Sequence, residues 1–174
     1  GAGVTHVRPG DRVVGSFIMP CGSCENCARG MEDICSTFFE YNRLRGTLYD
    51  GETRLHRASG EPLSMYSMGG LAEYSVAPAT AVFALPEQLD LTDSAILGCS
   101  LFTAYGAVCT VGAVRAGESV AVVAVGGVGQ NIVQLSAVSG AESVNAIDVS
   151  GDKLDLARRM GATHTINSRE VDVN

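Results

Sequence analysis

Cys21-Gly-Ser-Cys24-Glu-Asn-Cys27-Ala-Arg-Gly-Met-Glu-Asp-Ile-Cys35 decides how the rest of the chain is read. Four thiols at spacing C-x2-C-x2-C-x7-C fall within one short loop, residues 21–35. Such a loop can wrap four thiolates tetrahedrally around one Zn²⁺ at Zn–S distances of about 2.3 Å, leaving no position open for water or substrate. A closed site of this kind folds its loop and does no chemistry of its own. Iron–sulfur ligation fits less well, because the bacterial ferredoxin run has a shorter last gap followed by Pro. Here the last gap is seven residues and Ser36 follows. Disulfides fit poorly, since adjacent C-x-x-C pairs strain easily and belong to oxidising compartments. The expectation is structural zinc on Cys21, Cys24, Cys27 and Cys35.

On the N-terminal side, Pro9-Gly10-Asp11 reads as a turn and residues 12–18 as a strand. His6 and His56 lack a second ligand at metal spacing and read as turn or surface residues. On the C-terminal side, residues 38–68 show no clear period and read as loop with short strands. Residues 70–77 alternate as a strand ended by Pro78, and residues 81–85 supply another before Pro86. Then the character changes. Thr92 and Asp93 are good helix starters, and Ala95, Ile96, Cys99, Leu101, Phe102 and Tyr105 fit one helical face. This helix is expected to mark the boundary between two domains.

Beyond it, residues 119–125 form a continuous apolar run, as expected of a parallel strand covered on both faces. Residues 128–139 read as a helix and 143–147 as a second strand. Residues 152–160 read as a helix capped by Ser150 and stopped by Gly161, and 163–166 as a third strand. The order β-α-β-α-β is half of a doubly wound dinucleotide fold. Gly126-Gly127-Val128-Gly129 lies between the first strand and its helix, where backbone N–H groups and the helix dipole can face a pyrophosphate. Ala124 stands where the first glycine of such a turn usually stands. Alanine is accommodated there at negative φ and costs ~1–2 kcal/mol if left-handed. Asp148 closes the next strand; its carboxylate suits an unmodified adenosine ribose and repels a 2′-phosphate, which favours NAD over NADP.

Composition is 46% apolar and 18% charged, that of a globular protein. A net charge of −7, with Lys153 the single lysine, argues against nucleic acid or anionic membranes as partners. No apolar run is expected to reach the ~18 residues of a membrane span. Six cysteines without a targeting segment suggest a reducing, cytoplasmic setting. Both ends read as cuts through a larger protein.

The cysteine loop is flanked by Val7-Arg-Pro-Gly-Asp-Arg-Val-Val14, and followed by Gly69-Gly70-Leu-Ala-Glu-Tyr74 and Gly98-Cys99-Ser-Leu-Phe-Thr103-Ala-Tyr-Gly106. Together these stretches resemble the zinc-containing medium-chain alcohol dehydrogenases over nearly the whole chain, with residues 41–68 the least constrained. The resemblance implies an α/β plus β architecture: part of a GroES-like β-barrel catalytic domain over residues 1–90, an interdomain helix and linker over 91–118, and the first half of a Rossmann NAD-binding domain over 119–174. It also implies that Cys99 is one ligand of a second, catalytic zinc, that Thr103 lies near the nicotinamide, and that Lys153 lies near the adenosine ribose. On the residues alone, Cys99 would read as a buried core thiol. The family's other catalytic-zinc ligands, an early Cys and a His in a Gly-His-Glu segment, do not occur in this sequence. Catalytic zinc is therefore expected only in a full-length parent. That parent would be a homo-oligomer oxidising a small alcohol to an aldehyde or ketone, and the chain alone is expected to be inactive. The alternative is a non-catalytic, zinc-stapled nucleotide-binding or assembly module.

Overall fold

The computed structural model describes residues 1–171, and the chain divides into two units, Gly1–Gly98 and Cys99–Asn174. Residues 172–174, the end of the expected nucleotide-binding segment, lie outside the described residues.

In the first unit, β1 (Val13–Gly15) is shorter than the expected strand. It pairs antiparallel with β4 (Val82–Ala84), Val14 opposite Phe83. A second antiparallel pair joins β2 (Leu55–His56) and β3 (Pro62–Leu63). Short helical turns fill the space between: α1 (Glu25–Ala28), a 3-10 turn at Glu32–Ile34 and a π-helical turn at Phe38–Arg43. The last lies in a stretch expected to be loop, and it carries the fully buried Phe38 and Asn42. Asn42 donates through Nδ2 to the Thr47, Met65 and Ser67 carbonyls and accepts the Ser67 N–H at 2.6 Å. One buried amide thus organises irregular backbone that would otherwise leave polar groups unmet. His6 bonds the Val82 carbonyl at 2.9 Å, a structural role.

Residues 70–77, expected as a strand, form turns and bends, with Leu71, Tyr74 and Val76 exposed. Alternating sequence makes a strand only where a neighbour completes the ladder, and among the described residues none pairs with this segment. Gly98 shows how tightly this unit is packed: a Cβ there would sit 1.8 Å from the Gly15 carbonyl oxygen, while the Phe17 N–H reaches the Gly98 oxygen at 2.8 Å.

The second unit holds a three-stranded parallel sheet in the order β5 (Ser119–Val123), β6 (Ser143–Asp148), β7 (His164–Asn167). Helices α3 (Gly127–Val138) and α4 (Gly151–Arg159) complete the expected β-α-β-α-β order. Its core is Val122, Val125, Val133, Val144, Ala146, Leu154 and Ala157. The expectation that the first strand is covered on both faces is corrected: Val122 is buried, but Ala121 and Val123 on the opposite face are exposed. Ser150 does occupy the N-cap of α4, but its side chain makes no capping bond; the Asp148 carboxylate receives the Val149 and Ser150 N–H groups instead.

The helical run Asp93–Val111 corrects a further expectation, since its 19 residues with a mean hydropathy of 1.6 are long and apolar enough for a membrane span by length and composition. It is irregular, passing through 3-10 and π turns and one α-helical turn, α2 (Phe102–Tyr105). Ile96, Phe102 and Tyr105 of its expected apolar face are exposed, and Ser94, Ala104 and Val108 are its buried residues. Only 17% of its 18-residue apolar window is buried, and a single helix of this length and composition is weak evidence for a span.

Candidate metal centre and nucleotide turn

In the first unit, the loop's four cysteines converge, their Sγ atoms all within 4.8 Å of one another. A tetrahedral zinc needs sulfur–sulfur separations of about 3.8 Å, and Cys24 and Cys35 are already 3.9 Å apart. Two short turns bring the thiols together. Helix α1 presents Cys27, the 3-10 turn delivers Cys35, and Asn26 Nδ2 ties them by donating to the Ile34 carbonyl at 2.8 Å. Cys27 and Cys35 are buried among Met19, Phe38, Leu48 and Met65, so the loop and the core of this unit share one cluster.

The backbone is arranged for thiolates. Cys35 Sγ accepts N–H bonds from Cys21 and Phe38, and Cys21 Sγ accepts them from Ser23 and Cys24. The N–H of Cys27 and the hydroxyl of Ser36 bring the Cys24 thiol down to about 5. Burial opposes ionisation of Cys21, yet Thr37 and the Ser23 and Cys24 N–H groups hold it at about 7. Burial, with Cys24 and Cys35 alongside, pushes Cys27 up to about 12. Several thiolates crowded together repel one another unless a cation compensates. The donor set, its spacing and its N–H···S bonds fit a divalent, thiophilic ion such as Zn²⁺. The nearby Tyr49 hydroxyl is buried without a partner among the described residues, and burial together with these thiols raises its pKa.

In the second unit, β5 runs into a left-handed turn at Ala124, φ 69°. The strained option weighed for this alanine is the one adopted. Gly129 must lack a side chain, because a Cβ there would come 2.3 Å from the Ala124 carbonyl oxygen. Helix α3 starts at Gly127, and the first bond of its turn is Gln130 N–H to Gly126 O at 2.8 Å. The N–H groups ahead of Gln130 therefore have no partner within the helix and can meet an anion.

Asp148 ends β6 with its carboxylate buried beside this turn. Oδ2 accepts the Val125 N–H at 2.9 Å, and Oδ1 accepts those of Val149 and Ser150 at 2.8 and 3.0 Å. A carboxylate offers about four acceptor sites, so one is left for a ligand hydroxyl. Burial would raise its pKa, but the N–H groups of Ser150 and Val149, the Lys153 charge and the Val125 N–H together hold it below the ordinary value. Lys153 Nζ lies 4.0 Å from Oδ1 on a half-exposed side chain.

Two residues that the motif does not name secure the turn. Gln130 Nε2 donates to the Val125 carbonyl at 2.9 Å and the Lys153 carbonyl at 2.8 Å. Asn131 Nδ2 donates to the Gly127 carbonyl at 2.8 Å and to Ser100 Oγ at 2.9 Å. The signal for both was a pair of polar residues opening a helix whose other inward positions are apolar or small. Cys99 and Thr103 are exposed, so Cys99 is no core thiol. Among the described residues, Cys99 and Cys109 join no cluster of three or more metal-binding side chains.

The profile of the alcohol dehydrogenase GroES-like domain matches residues 1–87, half of the chain, and that of the zinc-binding dehydrogenases matches residues 127–174. The NDMA-dependent alcohol dehydrogenase of Amycolatopsis methanolica is 36% identical over 170 residues, covering 98% of this chain and 45% of that protein. A crystal structure of an alcohol dehydrogenase zinc-binding domain protein from Burkholderia ambifaria superposes with a TM-score of 0.91 at 38% identity, covering 99% of this chain and 47% of its own. A zinc-binding dehydrogenase of Sinorhizobium meliloti, solved with NADP bound, matches with a TM-score of 0.70 at 26% identity over 99% of this chain and 44% of its own. The chain thus spans about half the length of the relatives it matches.

Proposed function

The chain belongs to the zinc-binding alcohol dehydrogenase family, and on that premise we propose that it is the structural-zinc lobe and cofactor-entry half of an NAD-dependent alcohol dehydrogenase. The observation that carries this reading is the gathering of Cys21, Cys24, Cys27 and Cys35 within 4.8 Å, a donor set that serves to staple a loop. In this reading residues 1–90 are part of the GroES-like catalytic domain, 91–118 the interdomain helix and linker, and 119–174 the first half of the NAD-binding domain.

The residues divide the work as follows. Gly126, Gly127, Val128 and Gly129 present backbone N–H groups to the pyrophosphate. Asp148 accepts hydroxyls of the adenosine ribose and disfavours a 2′-phosphate, with Lys153 beside it. Thr103 stands near the nicotinamide, and Cys99 offers one thiolate to a catalytic zinc. A bound nicotinamide would supply the acceptor for the hydride of an alcohol, whose hydroxyl proton would pass to water as the aldehyde or ketone forms. A cytoplasmic homo-oligomer fits the six free thiols and the exposed apolar face of β5. The NADP-bound neighbour makes the choice of NAD rest on Asp148 alone.

The chain by itself should bind without turning over, since Cys99 has no companion ligands among the described residues and a zinc that polarises an alcohol takes about three protein ligands. The test is NADH formation from primary and secondary alcohols by the full-length protein, with and without Cys99→Ala. Turnover abolished by the substitution, with one metal per chain remaining, supports the reading; turnover that survives it removes Cys99 from the catalytic set.

A further inference from the structure

We propose that Gln130 is a positioning residue that sets cofactor specificity by holding the phosphate turn and the ribose-reading carboxylate in one fixed relation. The inference rests on the dinucleotide reading given above and deepens it.

Val125 is fully buried and held from two sides. Its N–H donates to Asp148 Oδ2 at 2.9 Å and its carbonyl accepts Gln130 Nε2 at 2.9 Å. The same Nε2 donates to the carbonyl of Lys153 at 2.8 Å, in the first turn of α4. Lys153 Nζ in turn lies 4.0 Å from Asp148 Oδ1, and the N–H groups entering α4, those of Val149 and Ser150, end on that oxygen. The contacts close a ring: turn, carboxylate, helix start, amide, turn. Asp148 is the member that meets the ribose, and Gln130 is the member that spans the gap between the turn and α4.

The amide orientation is fixed. Both Nε2 hydrogens are used on carbonyl oxygens, and the buried Oε1 has no partner among the described residues. Rotating the amide would place Oε1 against those two carbonyl oxygens, so the chain leaves one acceptor unmet to keep both donors in place. A residue serving only to fill space would not need that arrangement.

The test is calorimetric titration of the 174-residue chain with ADP-ribose and with its 2′-phosphorylated form. Gln130→Met keeps the volume and removes the donors. Gln130→Glu keeps the shape and turns an oxygen toward the two carbonyls, and it decides the matter if the first variant does not fold. Both should weaken ADP-ribose by about two- to tenfold, the worth of one or two hydrogen bonds, while the 2′-phosphorylated ligand changes little, so the preference shrinks. In an Asp148→Asn background, Gln130→Met should leave the ratio where Asp148→Asn alone puts it. An unchanged ratio, equal weakening of both ligands, or additive effects in the double variant would overturn the role of Gln130 alone. A wild-type chain that binds neither ligand, or both equally, would overturn the dinucleotide reading and this inference with it.

Discussion

Asp148 Oδ2 accepts the backbone N–H of Val125 at 2.9 Å, so the carboxylate that would read the ribose also pins the turn that would hold the phosphates. One side chain serves binding and folding together. Specificity and stability cannot then be separated at this position by a simple truncation.

Asp148→Ser should relax the preference for NAD over NADP in the full-length protein, because the negative charge that repels a 2′-phosphate is gone. It should also destabilise the fold by about 1–3 kcal/mol, the cost of leaving the buried Val125 N–H without an acceptor. Competitive cofactor titration and chemical denaturation read the two effects. Equal wild-type affinity for both cofactors contradicts the first, and an unchanged denaturation midpoint contradicts the second.

Acid should weaken the second unit through the same residue. The Asp148 carboxyl is held below its ordinary value, so its contribution is complete above the unfolded pKa of about 3.9 and is lost as pH falls through the lower folded value. Asp50, paired with Arg54, and Asp90, bonded to the Asp93 and Thr92 N–H groups, are shifted in the same direction on exposed sites. Thermal melts from about pH 5 downward should show falling stability, with a shallower slope for Asp148→Asn. Parallel slopes for the two proteins would show that Asp148 is not the group responsible.

Ala124→Gly should stabilise. The alanine sits at φ 69°, which costs about 1–2 kcal/mol, while glycine gives back roughly 0.4–1 kcal/mol in unfolded-chain entropy. The net gain, between about 0 and about 1.6 kcal/mol, is worth up to a few degrees in Tm. Gly129→Ala should do the opposite, since its Cβ would meet the Ala124 carbonyl at 2.3 Å. A stable Gly129→Ala protein that binds ADP-ribose as tightly as wild type would show that the turn is not packed as described.

Cys35→Ser should cost the first unit its fold, because Cys35 is fully buried in the core cluster and metal binding at such a loop is folding free energy. A strong chelator should have the same effect on the wild type. Loss of ordered structure on chelation, restored by zinc, is the expected result. Purified protein holding iron, or no metal and intact disulfides, would contradict it.

Much of this was legible because it depends on spacing along the chain. Cysteines at 21, 24, 27 and 35 converge because a short loop leaves them nowhere else to go, and the strand–turn–helix around Gly126–Gly129 follows from local periodicity. What escaped depended on neighbours. Residues 70–77 alternate as a strand does, yet find no partner among the described residues, and the apolar run of β5 does not say which face will be covered. The left-handed φ of Ala124 and the two carbonyls bridged by Gln130 are products of tertiary packing. No pattern in one sequence encodes them.

At the centre stand a closed structural zinc on four thiolates, half of a cofactor site, and Cys99 as the one residue matched to a ligand of a second metal, which joins no cluster of three metal-binding side chains among the described residues. Zinc stoichiometry and NADH production, measured together on the 174-residue chain after intact-mass verification, test this arrangement most directly. One zinc per chain, unresponsive to substrate, with no NADH formed is the predicted result; two zincs per chain with steady turnover would contradict it.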